Sequence, residues 1–216
     1  MAKRIFDFCW SIMGLVLLSP LLALVAVAVK LDDGGPIVFR QVRIGLGGRP
    51  FQIWKFRTMV VDAERQGRAI SVGQDPRATR VGRHLRSTKL DEFPQLLNVI
   101  LGEMSLVGPR PEVPEYVKLY SESQRAILAL RPGITDLASI KYRNECELLG
   151  EAENPEETYV QTVLPDKIRI NLAYATRADL WSDFLVILAT LRLFPSARVQ
   201  EGQHWGQPLR QTKRLT

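Results

Sequence analysis

The sequence predicts an α+β chain, mostly helical, in which an N-terminal re-entrant membrane helix broken at a Ser-Pro step precedes a small β-hairpin and a helical body. Three observations predict it. Residues Ile12 to Val29 are apolar apart from Gly14, Ser19 and Pro20. Two short stretches rich in β-formers, Ile37–Gln41 and Phe51–Arg57, flank the turn-rich Ile44–Gly48, the pattern of a hairpin with a longer loop. Beyond Asp75 the apolar residues recur at helical spacing between Pro and Gly breaks. The expected organisation is a membrane helix over 1–33, a folded body over 34–200 and a polar tail over 201–216 that holds His204.

The apolar block would reach about 27 Å as a straight helix, barely a hydrocarbon core. Pro20 has no N–H and crowds the carbonyl four residues back, so it kinks or breaks a helix interior. Ser19 beside it can bond a freed carbonyl where lipid offers no water. Cations stand at both ends, Lys3 and Arg4 before the block and Lys30, Arg40 and Arg43 after it. The asymmetry that orients a spanning helix is therefore missing, which predicts a helix that dips into one leaflet, bends at Ser19-Pro20 and returns. A single-pass anchor is the competing reading. A cleaved signal peptide is a weaker one, because Asp7 and the aromatic residues Phe6, Phe8 and Trp10 do not suit a signal n-region.

The chain of 216 residues carries a net charge of +6, and the excess is local. Arg40 to Lys89 contains 12 Lys/Arg against 3 Asp/Glu, a surplus of +9, which attracts phosphate groups. Alternation along the second strand puts Lys55 and Arg57 on one face and Trp54 and Phe56 on the other. The two cations suit a phosphate clamp; the competing role is a charged edge that blocks aggregation. A polar stretch from Asp62 to Ser71, partly helical, leads to a turn at Asp75-Pro76. Arg77, Arg80, Arg83 and Arg86 then recur every third residue, so a helix from Ala78 would carry a guanidinium stripe suited to phosphate oxygens or to anionic lipid.

The stretch Leu90-Asp91-Glu92-Phe93-Pro94-Gln95 reads as a helix start with Pro94 in its first turn and the cap near Asp91. Asp91 is then either an N-cap or a reactive carboxylate. A carboxylate can attack phosphorus to give an acyl phosphate, and Glu92 beside it could hold Mg²⁺. Gly108-Pro109-Arg110-Pro111 limits where the Arg110 guanidinium can point. Arg131-Pro132-Gly133 repeats the device after a helix running roughly from Pro114 to Leu130. A last helix, Asp179 to Phe194, shows an apolar stripe of Leu180, Phe184, Ile187 and Leu191 that packs on the core or skims a membrane. Cys9 and Cys146 form no metal or disulfide pattern. No Ser-His-Asp pattern, HExxH or P-loop is present.

These pieces together resemble a known family, the bacterial sugar transferases, small monotopic phosphoglycosyl transferases. The resemblance rests on KRIFDF (3–8), LLSP (17–20), FRQVRIG (39–45), WKFRTM (54–59), DPRATRVGRHLRST (75–88), LDEFPQLLNVILGEMSLVGPRP (90–111) and LRPGIT (130–135). It implies a re-entrant helix, a catalytic body at the cytoplasmic face of the bacterial inner membrane and both termini cytoplasmic. It also implies that Asp91 attacks the sugar-linked phosphate of a UDP-sugar, that UMP leaves, and that polyprenol phosphate (usually undecaprenyl phosphate) then takes the phosphosugar. Glu92, with Asp91, would be associated with Mg²⁺, and Lys55, Arg57, Arg86, Pro109, Arg110 and Arg131 would handle phosphate or nucleotide. Inner-membrane lipid is an implied partner and nucleic acid is not; exposed apolar surface makes a homodimer an expectation. The likeness departs from the family pattern at Asp136–Arg143 and at Asn171, where relatives carry an aspartate. A metal-dependent hydrolase of nucleotide-sugars or lipid diphosphates, and a non-catalytic membrane-docking module, are the alternative readings.

Overall fold

In the computed structural model, which describes residues 1–63 and 75–191, the longest element is helix α1, Ala2–Asp33. At about 1.5 Å per residue it is roughly 48 Å long. Its burial is inside out. Asp7 and Ser11 are buried, whereas Val16, Leu17, Leu24, Val27 and Leu31 are exposed. An apolar surface of that size without protein cover is what a lipid-facing helix presents.

The helix is continuous through Pro20, so the break expected at Ser19-Pro20 is corrected to an uninterrupted helix. The reason is local. Pro20 cannot donate to the carbonyl of Val16, and Ser19 Oγ donates to that same carbonyl at 2.8 Å, so the polar group that Pro20 orphans is satisfied within the helix.

Both ends of α1 dock on the same folded body. Near its start, Lys3 pairs with Asp183 at 2.5 Å, Arg4 donates to the Ile100 carbonyl at 2.9 Å, and Asp7 accepts from Ser105 Oγ at 2.7 Å and Leu106 N at 3.2 Å. Near its end, Val25 and Val29 pack with Phe56 and Leu85. There Asp32 also accepts from Val81 N at 3.0 Å, and Asp33 pairs with Arg57.

The hairpin is as expected in kind. Strands β1 (Val38–Ile44) and β2 (Pro50–Phe56) are antiparallel, in a register from Val38 opposite Phe56 to Ile44 opposite Pro50. Helix α2 spans Arg80–Thr88, with Thr79 Oγ1 capping Gly82 N at 2.9 Å. The guanidinium stripe is therefore shorter than expected, because Arg77 lies before the cap and is bound to Asp75 at 2.7 Å. Helix α3 is Gln95–Leu101. Strand β3 (Ser105–Val107) pairs in parallel with β4 (Gly133–Thr135).

The helix expected from Pro114 to Leu130 divides into α4, Pro114–Val117, and a 3-10 segment, Gln124–Ala129. Ser121 lies between them, its N–H bonded to Gln124 Oε1 at 2.8 Å, a local alternative to helix continuation. The remaining helices are α5 (Leu137–Lys141), α6 (Glu145–Gly150), α7 (Pro155–Thr158), α8 (Leu164–Ala175) and α9 (Leu180–Thr190). Helix α9 buries Ser182, Asp183, Val186 and Ala189; of the expected stripe, Ile187 packs against that core while Leu180 and Leu191 are exposed. Asp183 decides that face, since it holds Lys3 and accepts from Tyr174 at 2.6 Å. The expected helix over 62–71 (from residue 64), the end of the last helix at Phe194, and the 201–216 tail lie outside the described residues.

Candidate active site

Two chain reversals place the carboxylates. Helix α2 ends at Lys89, which adopts left-handed backbone angles (φ 60°, ψ 15°), and the chain turns at once into a 3-10 turn, Leu90–Glu92. A non-glycine residue in that region stores strain and is usual where function requires the geometry. Pro94 then opens α3, so the helix starts later than the sequence suggested. Asp91 caps nothing, which removes the N-cap reading. Its Oδ1 is buried with no hydrogen-bond partner, and the residue is 6% exposed. Burial raises the Asp91 carboxyl above the ordinary carboxylate value; Lys55 acts against that rise and Glu92 adds to it.

Glu92 has the opposite fate. Its Oε1 accepts from Lys55 Nζ at 3.1 Å and also from Arg110 Nη2, and its Oε2 accepts from Arg110 Nη1 at 3.1 Å. Burial alone would raise it, but Arg110 and Lys55 together hold it well below the usual range. Glu92 in turn favours the charged form of Arg110, while burial lowers the Lys55 ammonium. Neighbouring carboxylates are thus driven apart, one favoured in its ionised form by a two-point guanidinium clamp and the other raised by burial, with one oxygen unpartnered.

The Arg110 corner is fixed by its counterpart. Gly108 N donates to the Thr135 carbonyl and Gly133 N to the Pro109 carbonyl, each at 3.0 Å. A Cβ on Gly133 would lie 2.1 Å from Gly108 N, so the close approach requires glycine there. Asp136, 1% exposed, accepts from Arg110 N at 2.8 Å and from Ser139 N. The two proline-bounded turns noted in the sequence are therefore one structure.

The other candidates are dispersed. Arg57 follows the end of β2 and reaches Asp33 of α1, leaving Nε and Nη1 buried without partners; it does not share Glu92 with Lys55. Arg86 is half-buried in the last turn of α2. Arg131 lies by Gly102 and Arg4 at the far end of α3. Pro109 lines a cleft that Arg110 also borders, whereas Asp91 and Glu92 do not line it.

Sequence reasoning missed four residues that hold this arrangement. Asn98, fully buried, accepts from Trp54 N at 3.1 Å and donates to the Gln52 carbonyl and Glu103 at 2.7 Å each, fastening α3 to β2 and hence Glu92 to Lys55. Its signal was one amide inside the apolar run Leu96–Leu101. Arg43, counted as a charge after the membrane block, turns inward to the Pro111 carbonyl at 3.2 Å. Asp7 and Asp136 were visible only as isolated acids.

Among the described residues no group of three His, Cys, Asp or Glu side chains is gathered. Mg²⁺ needs only one or two protein carboxylates, with water and phosphate completing its shell. The unpartnered Asp91 oxygen is one such donor; both Glu92 oxygens are bonded to Arg110 or Lys55, so Glu92 completes the pair only where Arg110 turns away from it.

Residues 1–196 match the family model for bacterial sugar transferase. The chain is 38% identical over 194 residues to a UDP-glucose:undecaprenyl-phosphate glucose-1-phosphate transferase of Klebsiella pneumoniae, covering 88% of this chain and 39% of that protein. A protein of the same name from Caulobacter vibrioides is 40% identical, with 88% and 68% covered. A UDP-N-acetylgalactosamine-undecaprenyl-phosphate N-acetylgalactosaminephosphotransferase of Aeromonas hydrophila is 35% identical, with 88% and 43% covered. The chain thus spans well under half the length of two of these three relatives.

Proposed function

The chain belongs to the bacterial sugar transferase family, and from that premise we propose that it transfers a sugar-1-phosphate from a UDP-sugar to polyprenol phosphate at a membrane surface. The relatives named above are transferases of this kind acting on different sugars, which supports the reaction class and leaves the sugar open. The observation that carries the proposal is the divergence of Asp91 and Glu92: a basic, unpartnered carboxyl next to one clamped by Arg110 and Lys55.

Arg110 is the most exposed member of the cluster, its side chain 32% accessible against 10% for Glu92. It turns from Glu92 to the donor diphosphate and admits phosphorus to Asp91. A carboxylate stripped of water and raised in basicity is a stronger nucleophile than a solvated one. Its oxygen bonds to the sugar-linked phosphorus as the P–O bond to UMP breaks, and the electron pair leaves on UMP. An oxygen of polyprenol phosphate then attacks the same phosphorus, the Asp91–phosphorus bond breaks, and the carboxylate is restored. Asp91 and Glu92 would hold Mg²⁺, which supplies positive charge to the phosphate oxygens. Lys55 stays on Glu92 and keeps it ionised.

The docking of both ends of α1 on one body supports a helix that lies along one membrane face rather than crossing the bilayer; on this reading the body sits on the cytoplasmic side and the helix brings a lipid acceptor to the corner of α2 and α3. Membrane burial would also keep water from the acyl phosphate; a hydrolase would have no use for that exclusion. The test is UMP release from UDP-sugars by the purified protein with and without polyprenol phosphate. Release that requires the lipid in steady state, with sugar appearing in the lipid fraction, is expected. Steady release of free sugar phosphate without lipid would favour the hydrolase instead.

A further inference from the structure

Arg131, a phosphate-handling candidate in the sequence, lies at the far end of α3, where it meets Arg4 of α1. A Cβ placed on Gly102, the residue that ends α3, would stand 3.4 Å from Arg4 Nη2 and 3.8 Å from Arg131 Nη1. Apart from its chain neighbours, the three atoms nearest that point all belong to the two guanidinium groups, which therefore converge on one space. Neither has an acidic partner among the described residues. Arg4 Nη2 donates to the Ile100 carbonyl, while Arg4 Nη1 is buried without a partner. The acids close by are turned elsewhere: Asp7 to Ser105 and Leu106, Asp183 to Lys3, and Glu103 to Asn98. Two like charges brought together without a counter-ion repel, and a shared anion offsets that repulsion. The guanidinium fork suits phosphate oxygens above all.

Resting on the membrane placement of α1 in the transfer reading, we propose that Arg4 and Arg131 hold the phosphate of an anionic phospholipid where α1 meets the bilayer. The surroundings favour a lipid over a free phosphate. Arg4 lies in the first turn of α1, Ile5 and Phe8 follow it with 64% and 42% exposure, and Leu101 beside Gly102 is 65% exposed. A headgroup held here has uncovered apolar side chains at hand for its acyl chains. Cations at the aqueous end of a membrane helix stand at headgroup level, where anionic lipid attracts them. The place is distinct from that of the reacting phosphates. Asp91 and Glu92 precede α3 and Gly102 ends it, so a seven-residue helix of about 10 Å lies between them. A lipid bound to both arginines would join the start of α1 to the segment that leads into β4, and so stabilise the folded chain.

The experiment follows thermal unfolding of the full chain in neutral detergent with added phosphatidylglycerol, phosphatidylcholine, inorganic phosphate or polyprenol phosphate. Phosphatidylglycerol at about a hundredfold above its Kd is expected to raise Tm by about 5–10 °C, and phosphatidylcholine and inorganic phosphate to leave it unchanged. Arg131→Gln, which breaks no hydrogen bond among the described residues, is expected to melt like wild type without lipid and to lose the shift. Lys118→Gln, which removes an exposed cation after α4, is expected to keep it. An equal shift with phosphatidylcholine or inorganic phosphate, or one that survives in Arg131→Gln, would overturn the proposal. So would a shift by polyprenol phosphate that Arg131→Gln abolishes, since the place would then belong to the acceptor. The readout is binding rather than turnover, which separates the two readings. If the shift is present and no UDP-sugar yields UMP, the transfer reading falls and the lipid site stands; transfer without the shift has the reverse meaning.

Discussion

Replacing Asp91 by Asn should stabilise the protein while it removes turnover. The residue is 6% exposed and its Oδ1 is buried with no donor from the described residues; a buried acceptor left unmatched costs about 1–3 kcal/mol. Part of that is offset by the attraction of Lys55, but burial prevails, because the carboxyl is raised from 3.8. The sign follows from linkage. A carboxyl whose folded value exceeds its unfolded one favours the folded state below the unfolded value and loses that contribution as pH rises through the folded value. At pH 7 the folded state therefore carries an unfavourable charge that Asn, equal in shape, does not. A net gain of about 1 kcal/mol would raise Tm by about 2–4 °C for a chain of this size. Thermal unfolding in detergent at pH 7 and near pH 4 measures it, with the gap between variant and wild type expected to shrink at the lower pH. A variant that melts several degrees below wild type at pH 7 would refute the reasoning, since the carboxylate would then be stabilising in place.

Glu92→Gln should act in the opposite direction. It leaves Lys55 buried and Arg110, a third exposed, without a counter-charge, a loss of roughly 2–4 kcal/mol once solvent screening of Arg110 is allowed for, and it should weaken the dependence on Mg²⁺; thermal unfolding and a metal titration of activity check both. Because Glu92 is held well below 4.5, its contribution is present above that pH and is lost as pH falls through the depressed value, so the variant's deficit should vanish in acid. Asp7→Ala strands the Leu106 N–H and leaves the Ser105 hydroxyl only its bond to the Val107 carbonyl at 3.0 Å, so that β3 loses its hold on α1; it should lower stability by about 1–3 kcal/mol, read as a lower Tm. Ala2→Cys and Leu31→Cys, placed in a background lacking Cys9 and Cys146, should react with an impermeant maleimide on the same side of sealed vesicles. Labelling on opposite sides would mean that α1 spans the bilayer.

Local chemistry was legible in the sequence and long-range pairing was not. The hairpin followed from two β-rich runs around glycines, and the stiff Arg110 corner from its flanking prolines. Ser19 was expected to satisfy a carbonyl near Pro20 and does so, but that same bond lets the helix continue where a break was expected. Lys55 and Arg57 share a strand face by alternation, yet they part because Asp33, 24 residues away, claims one and Glu92, 37 residues away, the other. Asp7 and Asp136 have no local signature at all, since their partners come from β3 and from the Arg110 corner. The start of α3 was misplaced because Pro94 suits the first turn of a helix wherever Asp91 lies, and the left-handed turn at Lys89 was not visible in a lysine.

The central claim is that Asp91 carries the phosphosugar between donor and lipid, and the direct measurement is the intact mass of the protein after incubation with UDP-sugar in the absence of acceptor. A gain equal to one phosphosugar, mapped to the peptide containing Asp91 and discharged by polyprenol phosphate, is the predicted result. UMP released with the polypeptide mass unchanged, or an adduct on any other residue, would contradict it.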